Sequence, residues 1–211
     1  MTFDSIFKRG CLIPGIIILF FSVFVSVKIF VTRLDKKDLA WMTGYDRYEP
    51  RQNIFVSDNG NVDTVEYDSK WVVNKTDVIE FGSAGGGWMF EAYACYTLGL
   101  RHNGHPYRGS VSIKRAVDND TLLVGLSLGQ RETVNRKRND EYIVAKPETL
   151  MLDSVVYRDC VVVDNSNSRI LERSKDERYR GQPVVDKFIV SKRHGLVYYR
   201  FDDGEEFVRR R

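Results

Sequence analysis

The chain lacks an excess of charge of either sign outside its N-terminal segment. Its 211 residues carry 32 Lys and Arg against 29 Asp and Glu. Four of these basic residues and one acid fall within the first 33 positions, so the rest of the chain is neutral. Proteins that hold nucleic acid by neutralising its phosphates need a basic surface. The composition therefore argues against a nucleic-acid partner.

Cysteine and histidine are scarce, with three residues of each. Neither Cys95 nor Cys160 stands in a C-x-x-C spacing, and His102 and His105 flank an Asn-Gly turn with no further ligand at a familiar spacing. We therefore expect no metal site and no cofactor, and we interpret the two histidines as parts of a solvated hairpin turn. In an oxidising compartment Cys95 and Cys160 can form a disulfide that closes a loop of about 65 residues. The alternative is a pair of buried thiols.

Sequence motifs of enzymes are also missing. The glycine-rich segment Gly82–Trp88 lacks the Lys-Ser/Thr ending of a phosphate loop, and Ser83 is not in a G-x-S-x-G context. Most carboxylates alternate with apolar residues, which is typical of a solvated sheet face. We therefore expect a protein that is not an enzyme. The alternative is a carbohydrate-active hydrolase that uses two carboxylates on the sheet.

One long apolar run is present near the N-terminus. Gly10–Val27 contains 18 residues without a charge, and a helix of this length spans about 27 Å, close to a hydrocarbon core of about 30 Å. The run predicts a single transmembrane helix over residues 10–31, after a tail of residues 1–9. The competing interpretations are a cleaved signal peptide, for which no A-x-A-like site follows the run, and a buried soluble helix.

The charges beside this run do not favour an extracytoplasmic C-terminal domain, which is the location that we expect from the resemblance described below. Two basic residues precede the run and four follow it, so the positive-inside rule favours a cytoplasmic C-terminal domain. Large domains can nevertheless cross the membrane despite flanking charge. Residues 32–53 are polar and are interpreted as a juxtamembrane stalk, which ends near Pro50.

Residues 54–211 have the sequence pattern of a β domain. Apolar and polar residues alternate in about ten segments, and the turns between them include Asn59-Gly60 and Asn103-Gly104. No segment carries a helical period of twelve or more residues. The pattern predicts an all-β fold, with a large antiparallel curved sheet that forms a half-barrel or a barrel.

Aromatic residues are frequent in or beside these strands. Most are expected to be core residues or cross-strand pairs. An open curved sheet can instead use a concave aromatic face to hold an apolar ligand. The candidate ligand-binding residues are Trp88, Phe90, Tyr93 and Tyr199.

The C-terminal part resembles a recurring ending of bacterial cell-envelope proteins. The residues that carry this resemblance are Ser154–Asp164 (SVVYRDCVVVD) and Lys187–Phe201 (KFIVSKRHGLVYYRF), within residues 150–208. The similar proteins include lipoproteins and membrane-anchored proteins with curved, lipoprotein-carrier-like sheets. This chain differs from the lipoproteins because it has no lipidation cysteine after its apolar run. The resemblance implies a domain outside the cytoplasm with a non-enzymatic role, and it assigns no functional residues.

Together these observations predict a single-pass protein of the cell membrane with an extracytoplasmic, periplasmic β domain. Its expected partners are the membrane, through residues 10–31, and either a lipid or another envelope protein. The domain is expected to bind an apolar ligand or to scaffold that partner protein.

Overall fold

A computed structural model describes residues 27–46, 52–73, 75–81, 92–115, 122–133, 137–138, 141–142, 147–170 and 181–210. These residues form sixteen strands and three short helical turns. The helical turns are α1 (Lys36–Leu39), a 3-10 turn (Ala40–Met42) and α2 (Thr43–Asp46). The strands are β1 (Val27–Arg33), β2 (Gln52–Ser57), β3 (Val62–Val73), β4 (Lys75–Phe81), β5 (Tyr93–His102), β6 (His105–Arg115), β7 (Leu122–Leu128), β8 (Arg131–Thr133), β9 (Lys137–Arg138), β10 (Glu141–Tyr142), β11 (Glu148–Leu152), β12 (Val155–Val163), β13 (Ser168–Ile170), β14 (Val185–Ser191), β15 (Gly195–Phe201) and β16 (Glu206–Arg209).

Twelve of the described strands form one antiparallel sheet. Their order is β11-β12-β14-β15-β16-β2-β3-β5-β6-β7-β8-β13, and most neighbours are consecutive in the chain. The remaining strands pair separately, β1 with β4 and β9 with β10. The predicted all-β fold with a large antiparallel curved sheet is confirmed, in the form of a curled half-barrel.

The connection between β12 and β13 requires the sheet to curl. These two strands lie ten positions apart in the sheet order, which would be about 48 Å in a flat sheet. The chain joins Val163 to Ser168 through five residue steps, which span at most about 18 Å. The two ends of the sheet must therefore approach each other.

Arg131 stabilises the line along which these ends approach. Its side chain is 2% exposed. Its Nε donates to the carbonyl of Val185 at 2.8 Å, and its Nη1 donates to Ser168 Oγ at 2.8 Å. The Tyr107 hydroxyl on β6 makes a second contact of this kind, because it donates to the carbonyl of Pro183, just before β14, at 3.0 Å. A buried guanidinium with several acceptors thus replaces a continuous strand ladder at this position.

The interior of the half-barrel is the main hydrophobic core. Ten of its 26 described buried residues are aromatic, and the Tyr199 and Phe207 rings stack with centroids 4.9 Å apart and planes inclined by 10°. A second, smaller core lies on the opposite face of the sheet, and the hairpin of β11 and β12 contributes to it. This core contains Tyr157, Cys160, Ile189, Val197 and Tyr198.

Residues 34–45 belong to the interior and do not form a free stalk. Leu34, Trp41, Met42 and Tyr45 are at most 7% exposed and are part of the main core. The juxtamembrane stalk over residues 32–53 stays a prediction, but this part of it is packed against the sheet, which buries its apolar side chains. We name residues 34–45 the interior segment.

Two polar contacts hold the interior segment in place. Asp35 caps α1, and its Oδ1 accepts from the backbone N–H of Asp38 at 2.8 Å. The Asp38 carboxylate accepts hydrogen bonds from two nitrogens of Arg115, from Nε at 3.1 Å and from Nη2 at 2.8 Å. Because Asp38 is only 4% exposed, the paired guanidinium compensates for its buried charge.

The predicted membrane helix over residues 10–31 lies mostly outside the described residues. Its last part, from Val27, is in β1 and pairs antiparallel with β4. In the part of the chain that the structure describes, no helix combines the length and the apolar character that a membrane crossing needs.

The contact between Gly44 and Gly195 yields a test of the interior segment. A Cβ on Gly44 would lie 2.7 Å from the backbone Cα and N of Gly195. Helix propensity alone favours alanine over glycine by about 1 kcal/mol, whereas overpacking costs about 1 to 3 kcal/mol. We expect Gly44→Ala to lower the free energy of unfolding, measured by urea denaturation of the full chain in detergent.

Gly99→Ala is the matched control, because a Cβ at Gly99 meets nothing within 4 Å. Its free energy of unfolding should stay within about 0.5 kcal/mol of the wild-type value. A Gly44→Ala variant that is as stable as the wild type, or more stable, would show that the interior segment is not packed against Gly195.

Candidate functional site

The structure separates the candidate residues of the sequence analysis. Trp88 and Phe90 lie outside the described residues. Tyr93 is 43% exposed at the start of β5, whereas Tyr199 on β15 is completely buried. Tyr93 and Tyr199 therefore do not share one open surface.

Tyr199 belongs to a buried polar cluster. Its hydroxyl donates to Asp63 Oδ2 at 2.7 Å, and His102 Nδ1 lies 3.0 Å from the same oxygen. The His102 ring stacks on Phe201 with centroids 4.2 Å apart. On its other side, His102 Nε2 lies 2.9 Å from the side-chain nitrogen of Asn103. The cluster joins β3, β5 and β15 through one carboxylate.

The predicted position of His102 in a solvated turn is wrong, because this ring is only 1% exposed. His102 continues the inward phase of Leu98 and Leu100 on β5, and His105 on the following strand is exposed. An Asp–His pair can support general base catalysis, but here the imidazole is buried against Phe201 and Phe207, and its Nε2 is occupied by Asn103. The cluster is therefore a structural element.

Burial controls the ionisation of this cluster. Burial raises the pKa of Asp63, against the lowering effect of the hydrogen bonds from Tyr199 and His102. Burial also raises the pKa of Tyr199, and the Asp63 charge adds to this effect. Because the folded-state pKa of Asp63 is raised, its contribution to stability is complete below the unfolded value, near 3.8, and is lost as the pH rises through the folded-state pKa.

The two cysteines of the predicted disulfide are free thiols in this structure. Cys95 lies on β5 and Cys160 on β12, six strand positions apart in the sheet. Both side chains project away from the main core, since their neighbours Tyr96 and Val161 are the residues that point into it. Burial raises the pKa of the Cys160 thiol to about 11, so it behaves as a small hydrophobic residue.

An open groove lies on the outer face of β3, β5 and β6. Its volume is about 530 Å³, within the range of about 300 to 1,000 Å³ for small-molecule sites. Strict alternation on β5 creates this face, because Leu98 and Leu100 point inward while Thr97, Gly99 and Arg101 point outward. We name it the outer groove.

Gly99 forms the floor of the outer groove. It lies in register with Glu66 on β3 and with Arg108 on β6. A Cβ at Gly99 would meet nothing within 4 Å, so the space above it is open. A carboxylate and a guanidinium therefore stand on opposite sides of an empty position.

A β-bulge places an indole ring at one end of this groove. The register between β3 and β5 shifts between Tyr67 and Lys70, and Ser69 Oγ lies 2.8 Å from Thr97 Oγ1 at this point. After the bulge, Trp71 is opposite Cys95 on the outer face and is 51% exposed. Trp71 thus borders the groove.

The charges of the outer groove are not neutralised by other described residues. Glu66 Oε1 accepts a hydrogen bond from Gln52 Nε2 at 3.0 Å. No described residue forms an ion pair or a side-chain hydrogen bond with Asp68, Arg101 or Arg108. Asp68, Arg101 and Arg108 therefore border the groove with their hydrogen-bonding capacity available, whereas one oxygen of Glu66 is already engaged by Gln52 on β2.

The sequence analysis did not identify Trp71 or the charged residues of this groove. The run of Trp71, Val72 and Val73 is apolar at consecutive positions, so alternation alone assigns no outward face to Trp71. Gly99 is the one signal in the sequence that could have located the groove. A glycine within a strand often marks a place where a ligand or another backbone approaches closely.

Comparison with known protein families, curated proteins and solved structures found no match to this chain.

The Tyr199 hydroxyl provides a test of the buried cluster. Tyr199→Phe removes a hydrogen bond to a carboxylate, and such bonds contribute about 1.5 to 3 kcal/mol. We expect a loss of this size in the free energy of unfolding at pH 7. Tyr93→Phe, which removes the hydroxyl of an exposed tyrosine, should cost less than about 0.5 kcal/mol. Equal stability of the two variants would contradict the claim that the hydrogen bond from Tyr199 to Asp63 stabilises the fold.

Proposed function

We propose that the chain is a single-pass, membrane-anchored protein of the bacterial envelope. Its β domain is proposed to act without catalysis, either by binding a ligand on the outer face of the sheet or by scaffolding a partner protein. The observation that carries this proposal is the contrast between a filled interior and an open groove with exposed aromatic residues on the outside.

The filled interior argues against the concave face as the ligand site. Tyr199, Phe55, Phe188, Phe201 and Phe207 are completely buried there. The interior segment adds four more large side chains to the same core. An apolar ligand would have to displace this segment and break the ion pair between Asp38 and Arg115. Ligand binding is therefore easier to accommodate outside.

Large apolar side chains are exposed beside the outer groove. Trp71 is 51%, Val73 is 37% and Tyr93 is 43% exposed. Val73 and Tyr93 are a cross-strand pair, and Trp71 lies two residues before Val73 on the same face. Contiguous exposed apolar residues next to a cleft typically mark a binding surface. This patch retains Tyr93 from the candidate residues and adds Trp71.

The scaffold form of the proposal uses another surface. Strand β11 is at one edge of the twelve-stranded sheet, where unpaired backbone groups can receive a strand of a partner protein. On its hairpin, Met151 is 73% and Val156 is 59% exposed, and the two residues are paired. This edge is the second candidate surface.

The geometry gives less support to a hydrolase. Glycosidases place two carboxylates on opposite sides of the scissile bond. In the outer groove Glu66 and Asp68 are both exposed and lie two residues apart on one strand, so they form the same wall. Arg108 on β6 occupies the opposite wall, and Arg101 lies between the two walls on β5.

The anchor and the location remain parts of the proposal. They depend on the uncharged run Gly10–Val27 and on the resemblance to envelope proteins. The basic residues that follow the run oppose an extracytoplasmic domain.

Co-purification tests the outer face directly. The full chain is purified in a maltoside detergent from bacterial membranes, and the bound small molecules are identified by mass spectrometry. We expect a reproducible bound species that is lost from the double variant Trp71→Ser, Tyr93→Ser without a loss of stability. The double variant Met151→Ser, Val156→Ser is the matched control and should retain it.

Loss of the species from the control alone would move the binding surface to the β11 edge. A wild-type protein without any bound species, purified with one envelope protein near unit stoichiometry, would contradict ligand binding and favour the scaffold form.

Protease accessibility tests the orientation. We expect protease added outside intact spheroplasts to digest residues 34–211 of the full chain, because the domain is proposed to be extracytoplasmic. A cytoplasmic marker protein must remain intact in the same sample. Digestion of the domain only after lysis would show that the charge count predicted the orientation correctly.

A further inference from the structure

We infer that the outer groove binds a small zwitterion, which carries a cationic ammonium group and an anionic phosphate or carboxylate group. This inference rests on the proposed function, because it requires that the outer face is the binding surface. It adds the chemical class of the ligand.

The arrangement of charge requires both signs in the ligand. Glu66 and Asp68 form one wall of the groove on β3, and Arg108 forms the other on β6. Arg101 lies between the walls on β5, two residues from Gly99. Strands β3 and β6 flank β5, so their backbones are about 10 Å apart. A ligand with one charge would meet attraction at one wall and repulsion at the other. A zwitterion aligned across Gly99 satisfies both walls.

The ammonium end has a defined position near the bulge. The exposed Trp71 ring follows Asp68 by three residues, and both residues line the groove. Cations bind to the faces of indole rings, and quaternary ammonium groups are the typical ligands of such sites. Trp71 and the carboxylates of β3 together offer an aromatic surface and a counter-charge.

The anionic end of the zwitterion fits the two arginines of the groove. A guanidinium presents a planar set of N–H donors that matches phosphate and carboxylate oxygens in two parallel hydrogen bonds. Arg101 and Arg108 occupy neighbouring strands, and no other described side chain pairs with either of them. Their donors are therefore available to an oxyanion above Gly99.

The floor of the groove provides the space. Gly99 leaves an open position, and Thr97 beside it is small and polar. Any larger residue at position 99 would occupy the place where the ligand crosses from one wall to the other. The volume of about 530 Å³ accommodates a molecule of the size of phosphocholine.

Calorimetric titration of the full chain in maltoside detergent tests the inference. The probes are phosphocholine, with choline and inorganic phosphate as half-ligand controls. We expect saturable binding of phosphocholine, at least tenfold tighter than that of either half. The inference would be overturned if choline or inorganic phosphate alone bound as tightly as phosphocholine. It would also be overturned if none of the three zwitterions phosphocholine, phosphoethanolamine and glycine betaine showed saturable binding.

Variants of the groove identify the binding position. Gly99→Val should abolish the binding of phosphocholine and keep the fold, since its Cβ meets no other atom within 4 Å. Glu66→Gln and Arg108→Gln should each weaken binding about tenfold. Glu132→Gln is the control, because Glu132 pairs with Arg169 at the distant β8–β13 edge. Wild-type affinity in Gly99→Val would overturn the inference.

A short-chain phosphatidylcholine distinguishes the two sources of such a zwitterion. Tighter binding of this lipid than of phosphocholine identifies a lipid headgroup, and weaker binding identifies a free solute. Failure of this inference can be distinguished from failure of the proposed function. If Trp71→Ser, Tyr93→Ser loses its co-purified species while phosphocholine does not bind, the outer face is correct and the ligand class is wrong. If the species is also retained, both fail.

Discussion

The structure depends on filling the space inside a sheet that has curled until its two ends approach. Protein interiors are packed as densely as organic crystals. Here aromatic and aliphatic side chains of the strands fill the concave face together with Trp41 and Met42 of the interior segment. Because this face is filled, we propose that ligand binding occurs on the outer face, where strand alternation presents small and charged side chains around Gly99.

Burial of the interior segment also determines how the domain is connected to the N-terminal apolar run. Leu34 is in the core, and β1, directly before it in the chain, pairs with β4 in a separate two-stranded sheet. A strand of seven residues is about 23 Å long. If the run is a membrane anchor, as proposed, β1 is the segment of the chain that connects it to the interior segment.

The sequence predicted the strands well, because local turn chemistry and alternation are local signals. Asn103 and Gly104 form their turn with φ of 48° and 79°, as the Asn-Gly pair predicts. Local signals could not predict to which face of the sheet a side chain points where this depends on distant contacts. Trp71 points outward because of a bulge in β3, and Tyr199 is buried because its hydroxyl meets Asp63, 136 positions away. The short helical turns that carry Trp41 had no helical period to reveal them.

The most direct test of the account compares two indole rings in the same molecule. The three tryptophans of the full chain are labelled with 5-fluorotryptophan and assigned by single substitutions, and the chain is titrated with phosphocholine and with a bacterial phospholipid extract in bicelles. If the ligand binds on the outer face, we expect the fluorine resonance of Trp71 to shift while that of Trp41, in the interior, stays unchanged. A shift of Trp41 with Trp71 unchanged would show that the interior opens to the ligand, and would contradict binding on the outer face.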